Sequence, residues 1–253
     1  MNIVRLRDQV LALIVLLGIW WIAAAIVHSP LLPTPAEVGN AIQKEWAEER
    51  LISNLLMTLQ RVVISFFCAM ILGGLLGVFM GRFRSFNRIM DPLLVMLLNI
   101  PALVVIILLY IWFGLVEAAA VAAVIINKMP NVAVTLREGA RMFDGELEEM
   151  AQAYGFTPWQ KVKELWWPQL FPYLMVATRG GLALIWKIVL VVELLGRSDG
   201  VGFQLHLAFQ VFDVAAILAY SFCFIGVVQM IEWFILQPLE SYASRWQKGG
   251  SYV

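Results

Sequence analysis

The stretch Glu149-Met150-Ala151-Gln152-Ala153-Tyr154-Gly155, followed after nine intervening residues by Leu165-Trp166-Trp167-Pro168, is part of a polar segment in an otherwise apolar chain. The chain has 253 residues, of which 61% are hydrophobic and only 14% are charged, and its mean hydropathy is +0.81. Soluble domains are only about half apolar. The composition therefore indicates a protein that crosses a membrane several times, with this polar segment outside the lipid.

Apolar runs close to the ~20 residues that a helix needs to cross a membrane recur along the chain. They predict an all-α polytopic fold. We expect residues 1–53 to hold a first transmembrane helix and an external amphipathic segment, residues 54–240 a transmembrane core, and residues 241–253 a cytosolic tail. About six crossing helices are expected, at residues 10–27, 54–80, 89–113, 117–135, 170–195 and 211–237.

The lysines and arginines between the apolar runs are distributed unevenly. If Arg5 and Arg7 lie in the cytosol, most of the other basic residues outside the predicted spans lie there too. Cytoplasmic loops of membrane proteins carry this excess of Lys and Arg. We therefore expect a multi-pass membrane protein with both termini and the loop 136–169 in the cytosol. The formal net charge is zero, so lipid is an expected partner and nucleic acid is not.

The predicted cytosolic loop carries signals for two helices. Asp144 suits the start of the first helix, and the glutamates that follow it favour the first turn through the helix dipole. Gly155 can end this helix, and Pro158 fits the first position of the second. We expect the second helix to stop near Pro168. The loop is therefore expected to form a compact knob rather than a flexible tether.

The spacing and position of this loop resemble the segment by which permease subunits of bacterial ATP-binding-cassette (ABC) importers contact their ATPase. That pattern reads Glu-Ala-Ala, three residues, Gly, nine residues, Ile, one residue, Leu-Pro. This chain departs from it at Met150, Leu165 and Trp167. The resemblance implies that the residues coupling the chain to an ATPase are Glu148, Glu149, Ala151, Gly155, Leu165 and Pro168.

Further segments, in order along the chain, resemble the branch of these importers that carries nitrate, sulfonates, taurine and related small solutes. Among them are Leu32–Pro35, Thr58–Arg61, Trp112–Gly114 and Gly200–Gly202. The resemblance implies a type I importer fold in the bacterial inner membrane, a homodimer of this chain, two ATPase subunits that bind ATP and Mg, and a periplasmic or lipoprotein solute-binding protein. It favours a small anion as cargo, and a nitrogenous vitamin precursor stays an alternative.

Three ionisable residues, Arg179, Lys187 and Glu193, lie in or beside the fifth predicted span. Charges inside a membrane are costly, so each is a candidate for a functional or paired group. Helical spacing predicts that all three can face one broad interior surface. Lys187 could contact an anionic solute, or it could pair with Glu193 or with an acid on another helix.

Two of the prolines inside predicted spans are expected to interrupt their helices. Asn99-Ile100-Pro101 is expected to interrupt the third span, and Met129-Pro130-Asn131 the fourth. Interrupted helices at membrane depth can line a cavity, and they can also be simple packing kinks. The candidates for a translocation pathway are Asn99, Pro101, Asn127, Lys187 and Glu193.

Sequence motifs for energy use and catalysis give a further expectation. The chain has no G-x-x-x-x-G-K-[ST] loop for nucleotide phosphates and no paired-histidine zinc motif. We therefore expect a transport subunit that is not an enzyme and binds no cofactor or metal itself. Two alternatives remain, an ion-coupled transporter in which Lys187 and Glu193 exchange protons, and, less favoured, a membrane enzyme.

Overall fold

The computed structural model describes residues 3–238, with their side chains except those of residues 3–10 and 13. These residues are almost entirely helical, which confirms the predicted all-α fold. The predicted tail 241–253 lies outside the described residues. The α-helices are α1 Ile3–Val27, α2 Pro35–Ala47, α3 Arg50–Arg82, α4 Arg84–Asn99, α5 Ala102–Phe113, α6 Glu117–Arg141, α7 Gly145–Ala153, α8 Pro158–Gln160, α9 Trp167–Gly196, α10 Val201–Gln210 and α11 Val214–Ile231. Two π-helical segments are Lys161–Trp166, between α8 and α9, and Glu232–Leu236, after α11.

Four helices of the described range are long and apolar enough to cross a membrane. They are α3, α6, the continuous helix Pro158–Gly196 and the continuous helix Val214–Leu236. The third predicted span is broken, as its proline indicated, because α4 and α5 meet at an angle of 96°. Counting this pair as one span gives five crossings. The remaining predicted span, residues 10–27, lies in α1, whose apolar stretch, Ile14–Val27, is shorter.

The helices α6 and α9 differ from expectation at their prolines. The predicted interruption at Met129-Pro130-Asn131 is wrong, because α6 continues through Pro130 from Glu117 to Arg141. The predicted stop near Pro168 is also wrong. A π-helical bond, from the Trp167 N–H to the Val162 carbonyl, precedes Pro168. This wider turn lets the helix continue although Pro168 has no N–H to donate.

The helices α3 and α6 pack closely along a stripe of glycines on α3. A Cβ atom at Gly73 would lie 2.6 Å from the Met129 carbonyl oxygen, and one at Gly81 would lie 2.6 Å from the Ala140 Cβ. Gly77 faces Ala133 in the same way. Small residues let two membrane helices approach closely. The stripe therefore serves packing within one chain and fixes α3 against α6.

The main hydrophobic core lies between α3, α5, α6, α9 and α11. Its fully buried side chains include Val62 of α3, Val124 of α6, Ile185 and Val189 of α9 and Tyr220 of α11. Many other large apolar side chains are exposed on the outside of the bundle. This distribution fits a bundle whose outer surface meets lipid or other subunits.

Candidate functional site

The knob, residues 144–166, has the local geometry that its sequence predicts. The Asp144 carboxylate accepts a hydrogen bond from the Glu146 N–H at 2.9 Å and caps α7. Gly155 has a φ of 65°, in the left-handed region that suits glycine at the end of a helix. Thr157 and Gln160 then form a capping box, with Pro158 in the first turn. The knob is thus a helix, a glycine bend and a second helix.

The knob is fixed to the bundle through Glu148. Its carboxylate lies 2.6 Å from Arg82 Nη2 at the end of α3, and it accepts a hydrogen bond of 3.1 Å from Trp166 Nε1. The Arg82 guanidinium lies 5.3 Å from the centre of the Trp166 ring, which also stacks on Phe143. Charge-assisted hydrogen bonds of this kind are stronger than neutral ones. Glu148 therefore ties α7 both to α3 and to the start of the long helix Pro158–Gly196.

The predicted coupling residues divide between two faces of the knob. Ala151 and Leu165 are buried between α7 and the returning helix. Glu149, Gly155 and Pro168 are exposed. The exposed side also carries large apolar side chains, Leu147, Met150, Tyr154 and Trp159 among them, and Tyr154 has 78% of its surface accessible. One face thus holds the knob in place and the other is open to a partner.

An ion cluster with a buried centre and a partly exposed rim joins α3, α6 and α9 at the end of the bundle opposite the knob. Arg61 of α3 is only 3% exposed. Its guanidinium lies 2.7 Å from both Glu117 and Glu193 and 2.5 Å from Asp199. Arg197 also contacts Glu117, at 2.9 Å. The cluster closes this end of the bundle with paired charges.

Glu193 is the most enclosed member of this ion cluster, with none of its surface exposed. Besides Arg61, its carboxylate accepts hydrogen bonds from Thr58 Oγ1 and from the Gly202 N–H, both at 2.9 Å. Gly200 has a φ of +99°, and a Cβ atom there would overlap the carboxylate. The segment Gly200–Gly202 is therefore shaped around Glu193, which has no contact with Lys187.

Lys187 lies on a different face of α9 from Glu193. It is exposed, and no hydrogen bond or ion pair to it occurs within residues 3–238. Arg179 pairs with Glu232 at 3.6 Å. The prediction that all three charges face one interior surface is wrong, because Glu193 is fully buried whereas Lys187, about 120° away around α9, is exposed. The exposed face with Lys187 is a stripe, here called the α9 stripe, of Val176, Gly180, Leu184, Lys187, Val191 and Leu194.

The remaining pathway candidates lie at the bend and inside α6. Asn99 is exposed at the end of α4 and donates a hydrogen bond to the Val95 carbonyl at 2.7 Å. Pro101 is the N-cap residue of α5, at the 96° bend between α4 and α5. Asn127 is half-buried and donates to the Ala123 carbonyl at 2.7 Å. The structure does not bring Asn99, Lys187 and Glu193 together in one cavity within a single chain.

A charged residue that the sequence reasoning missed lies next to Asn127. Lys128 is 4% exposed and has no hydrogen bond or ion pair among the described residues. It lines a cavity of about 360 Å³ between α4, α6 and α9. The signal was present, because Lys128 is an ionisable residue within the predicted fourth span.

Residues Gly196–Gly200, GRSDG, match the spacing G-x-S-x-G that surrounds the nucleophilic serine of many hydrolases. A nucleophilic Ser198 would contradict the expectation that the chain is not an enzyme. In hydrolases this motif joins a strand to a helix. Here Ser198 lies between two helices, α9 and α10. The spacing therefore lacks the structural context that would make Ser198 a nucleophile.

A membrane-crossing helical bundle with a helical knob fixed to one end is the architecture of a transporter's membrane subunit. Residues 69–235 match the family described as binding-protein-dependent transport system inner membrane component, and the chain belongs to this family. It is the permease subunit of an ABC importer. Family membership decides against the alternative of an ion-coupled carrier and is consistent with a transport subunit.

Relatives of known description support this assignment along nearly the whole chain. The putative aliphatic sulfonates transport permease protein SsuC of Bacillus subtilis is 26% identical over 235 residues, 92% of this chain and 85% of that protein. The taurine transport system permease protein TauC of Escherichia coli is 25% identical, over 92% of this chain and 87% of that protein. A solved structure of the MetNI methionine ABC transporter, 17% identical, covers 77% of this chain and 98% of its own with a TM-score of 0.63.

Proposed function

We propose that the chain imports a small organic anion, such as a sulfonate, as the membrane subunit of a complex with two ATPases and an external solute-binding protein. Two relatives are named for aliphatic sulfonates and taurine, which supports this class of cargo. ATP and Mg bind to the ATPase, since this chain has no phosphate loop. A nitrogenous vitamin precursor is the competing cargo.

The observation that carries the proposal is the knob with its two faces. Glu148, bound to Arg82 and Trp166, holds α7 on the bundle. Met150 and Tyr154, exposed beside Glu149, offer apolar contact area to a partner. Apolar and aromatic side chains dominate the binding energy of protein interfaces. In the proposal the ATPase binds this exposed face, so that its movement passes directly into the bundle.

A homodimer is supported by the α9 stripe. An exposed Lys187, about 14 Å along the membrane helix from its end at Gly196, would be costly if it faced lipid. A second copy packed along the stripe removes this cost, because Lys187 then faces the passage between two permeases. We propose this arrangement, in which Lys187, Asn99 and Pro101 belong to the translocation pathway.

The orientation follows from the same proposal. The knob lies in the cytosol of a bacterial cell, and the ion cluster around Arg61 lies on the external side, where the solute-binding protein delivers its cargo. We propose that residues 1–53 are an N-terminal addition to a transport core, residues 54–240. Trp20 donates a hydrogen bond to the Pro33 carbonyl at 3.0 Å within this N-terminal addition. The Trp20 ring also packs on Phe222 of α11, which belongs to the core.

Docking is tested by co-expressing the permease with its ATPase and measuring how much ATPase stays on the purified membrane complex. Met150→Asp and Tyr154→Asp place charge on the exposed face of the knob, and each should release the ATPase. Phe212→Asp is the matched control, because Phe212 is an exposed apolar residue in the connection between α10 and α11 at the opposite end. Full retention of the ATPase by both knob variants would refute the docking face.

The cargo is tested with the complete complex in proteoliposomes. ATP-dependent uptake of a radiolabelled short alkanesulfonate is compared with uptake of a neutral aminopyrimidine. The proposal predicts uptake of the sulfonate. Uptake of the pyrimidine alone would replace the anion by the competing cargo while leaving the importer assignment intact.

A further inference from the structure

Lys128 lies near the middle of the membrane-spanning helix α6 and has no counter-charge among the described residues. Along α6 it is about 16 Å from the end at Glu117 and about 20 Å from the end at Arg141, at 1.5 Å per residue. It is 4% exposed and unpartnered within the described chain. Buried charges in membranes normally pair with one another. A buried lysine without a partner at this depth therefore calls for an anion from outside the chain.

Two neighbouring glycines of α9, Gly180 and Gly181, leave space for the Lys128 side chain and for a ligand beside it. A Cβ atom at Gly181 would lie 3.0 Å from Lys128 Cε, so a larger residue there would press on the lysine. At the neighbouring Gly180 a Cβ atom would meet nothing within 4 Å. Gly180 lines the cavity of about 360 Å³. Its volume is within the range of small-ligand sites.

The lining of this cavity favours an anion with an apolar part. No acidic residue lines it, and Lys128 is its charged group. Asn131 and Thr135 supply polar atoms, although each donates a hydrogen bond to its own helix, at 3.4 and 3.0 Å. The rest of the lining is formed by apolar or small residues of α4, α6 and α9, Leu98, Val134, Val176, Ala177, Gly180 and Leu184.

We propose that this cavity, here called the Lys128 site, is a binding site inside the membrane for a small organic anion in transit. Lys128 pairs with the anionic headgroup, and the apolar walls receive the short carbon chain. The cavity shares Val176, Gly180 and Leu184 with the α9 stripe. On this stripe Lys187 lies about 10 Å beyond Gly180, in the direction away from the knob. The site is thus open to the same face as Lys187. It rests on the proposed function, because its occupant is the proposed cargo.

The test uses the purified permease–ATPase complex, with and without the solute-binding protein. Equilibrium binding of a radiolabelled short alkanesulfonate is measured without the binding protein, and ATP-dependent uptake is measured with it. Lys128→Met keeps the length of the side chain and removes the charge. We expect binding to weaken at least tenfold and uptake to fall in proportion, while the complex assembles and hydrolyses ATP. Lys44→Met, on the exposed surface of α2, is the control and should bind as the unchanged complex does.

A second variant, Gly180→Leu, tests the site even if Lys128→Met does not fold. Gly180→Leu leaves Lys128 in place and fills the cavity, and we expect it to abolish sulfonate binding as well. Unchanged binding and uptake by an assembled complex of either variant would overturn the Lys128 site. If the unchanged complex imports a neutral solute and binds no sulfonate, the proposed cargo fails instead, and the two failures are therefore distinguishable.

Discussion

Arg61 and Glu193 form a buried ion pair at 2.7 Å, although 132 residues separate them in the chain. The pair links α3 to α9 in the part of the bundle furthest from the knob. Both residues are almost completely buried. Removing one partner of such a pair leaves the other as an uncompensated buried charge, which is the basis of the first prediction.

Arg61→Met should destabilise the permease strongly. The cost expected for breaking a buried pair is about 3–5 kcal/mol, because Glu193 would keep its burial and lose its counter-charge. Thermal unfolding of the detergent-purified permease measures it. Arg141→Met is the control, since Arg141 forms an exposed pair with Glu138 at 3.2 Å and its loss should cost under about 1 kcal/mol. Equal melting temperatures for the two variants would contradict the structural role of Arg61.

Gly200→Ala should be more harmful than Gly114→Ala. Both glycines have positive φ angles, +99° and +79°, so an alanine strains the backbone at each position by about 1 kcal/mol or more. Only at Gly200 does the new Cβ also overlap the Glu193 carboxylate, whereas at Gly114 it meets open space. The two melting temperatures compare these effects. A Gly200→Ala variant as stable as Gly114→Ala would show that the segment adjusts freely around Glu193.

Glu148→Ala should loosen the knob without unfolding the bundle. The variant loses charge-assisted hydrogen bonds from Arg82 and Trp166, each worth about 1.5–3 kcal/mol. Hydrogen exchange of the α7 amides should therefore speed up, while exchange in α6 stays slow. Glu149→Ala is the matched control, because Glu149 is exposed and makes no such tie. Its α7 amides should exchange as in the unchanged protein, even if docking of the ATPase is weakened.

Lys187→Met should lower anion uptake while leaving the purified permease at least as stable. Lys187 has no hydrogen bond or ion pair among the described residues, so replacing it with methionine breaks no such contact within the chain. Melting temperature and uptake in proteoliposomes give the two readouts. A less stable variant would indicate that Lys187 serves packing rather than the pathway.

The knob could be predicted from the sequence because its signals are local. The caps at Asp144 and Thr157 and the bend at Gly155 each depend on residues within three or four positions. The resemblance then linked the segment to an ATPase partner, a role that remains a proposal for the individual residues.

The charges inside the membrane could not be resolved from the sequence in this way. Helical spacing gave the angles on α9 correctly but not which side faces the core, and so Glu193 and Lys187 were grouped together. The partner of Glu193 comes from α3, and the absence of a partner for Lys128 is visible only when the neighbouring helices are in place. Pairing across a bundle is a property of tertiary packing.

Pro158–Gly196 is one continuous helix of 39 residues, about 58 Å long. It continues through Pro168 because a π-helical turn precedes that residue. Trp166 stands at one end of this helix and Glu193 near the other. This helix runs without interruption from the knob to the part of the ion cluster around Glu193. A tilt of a few degrees imposed at Trp166 therefore displaces the opposite end by several ångströms, and the glycine pair at its centre moves with it.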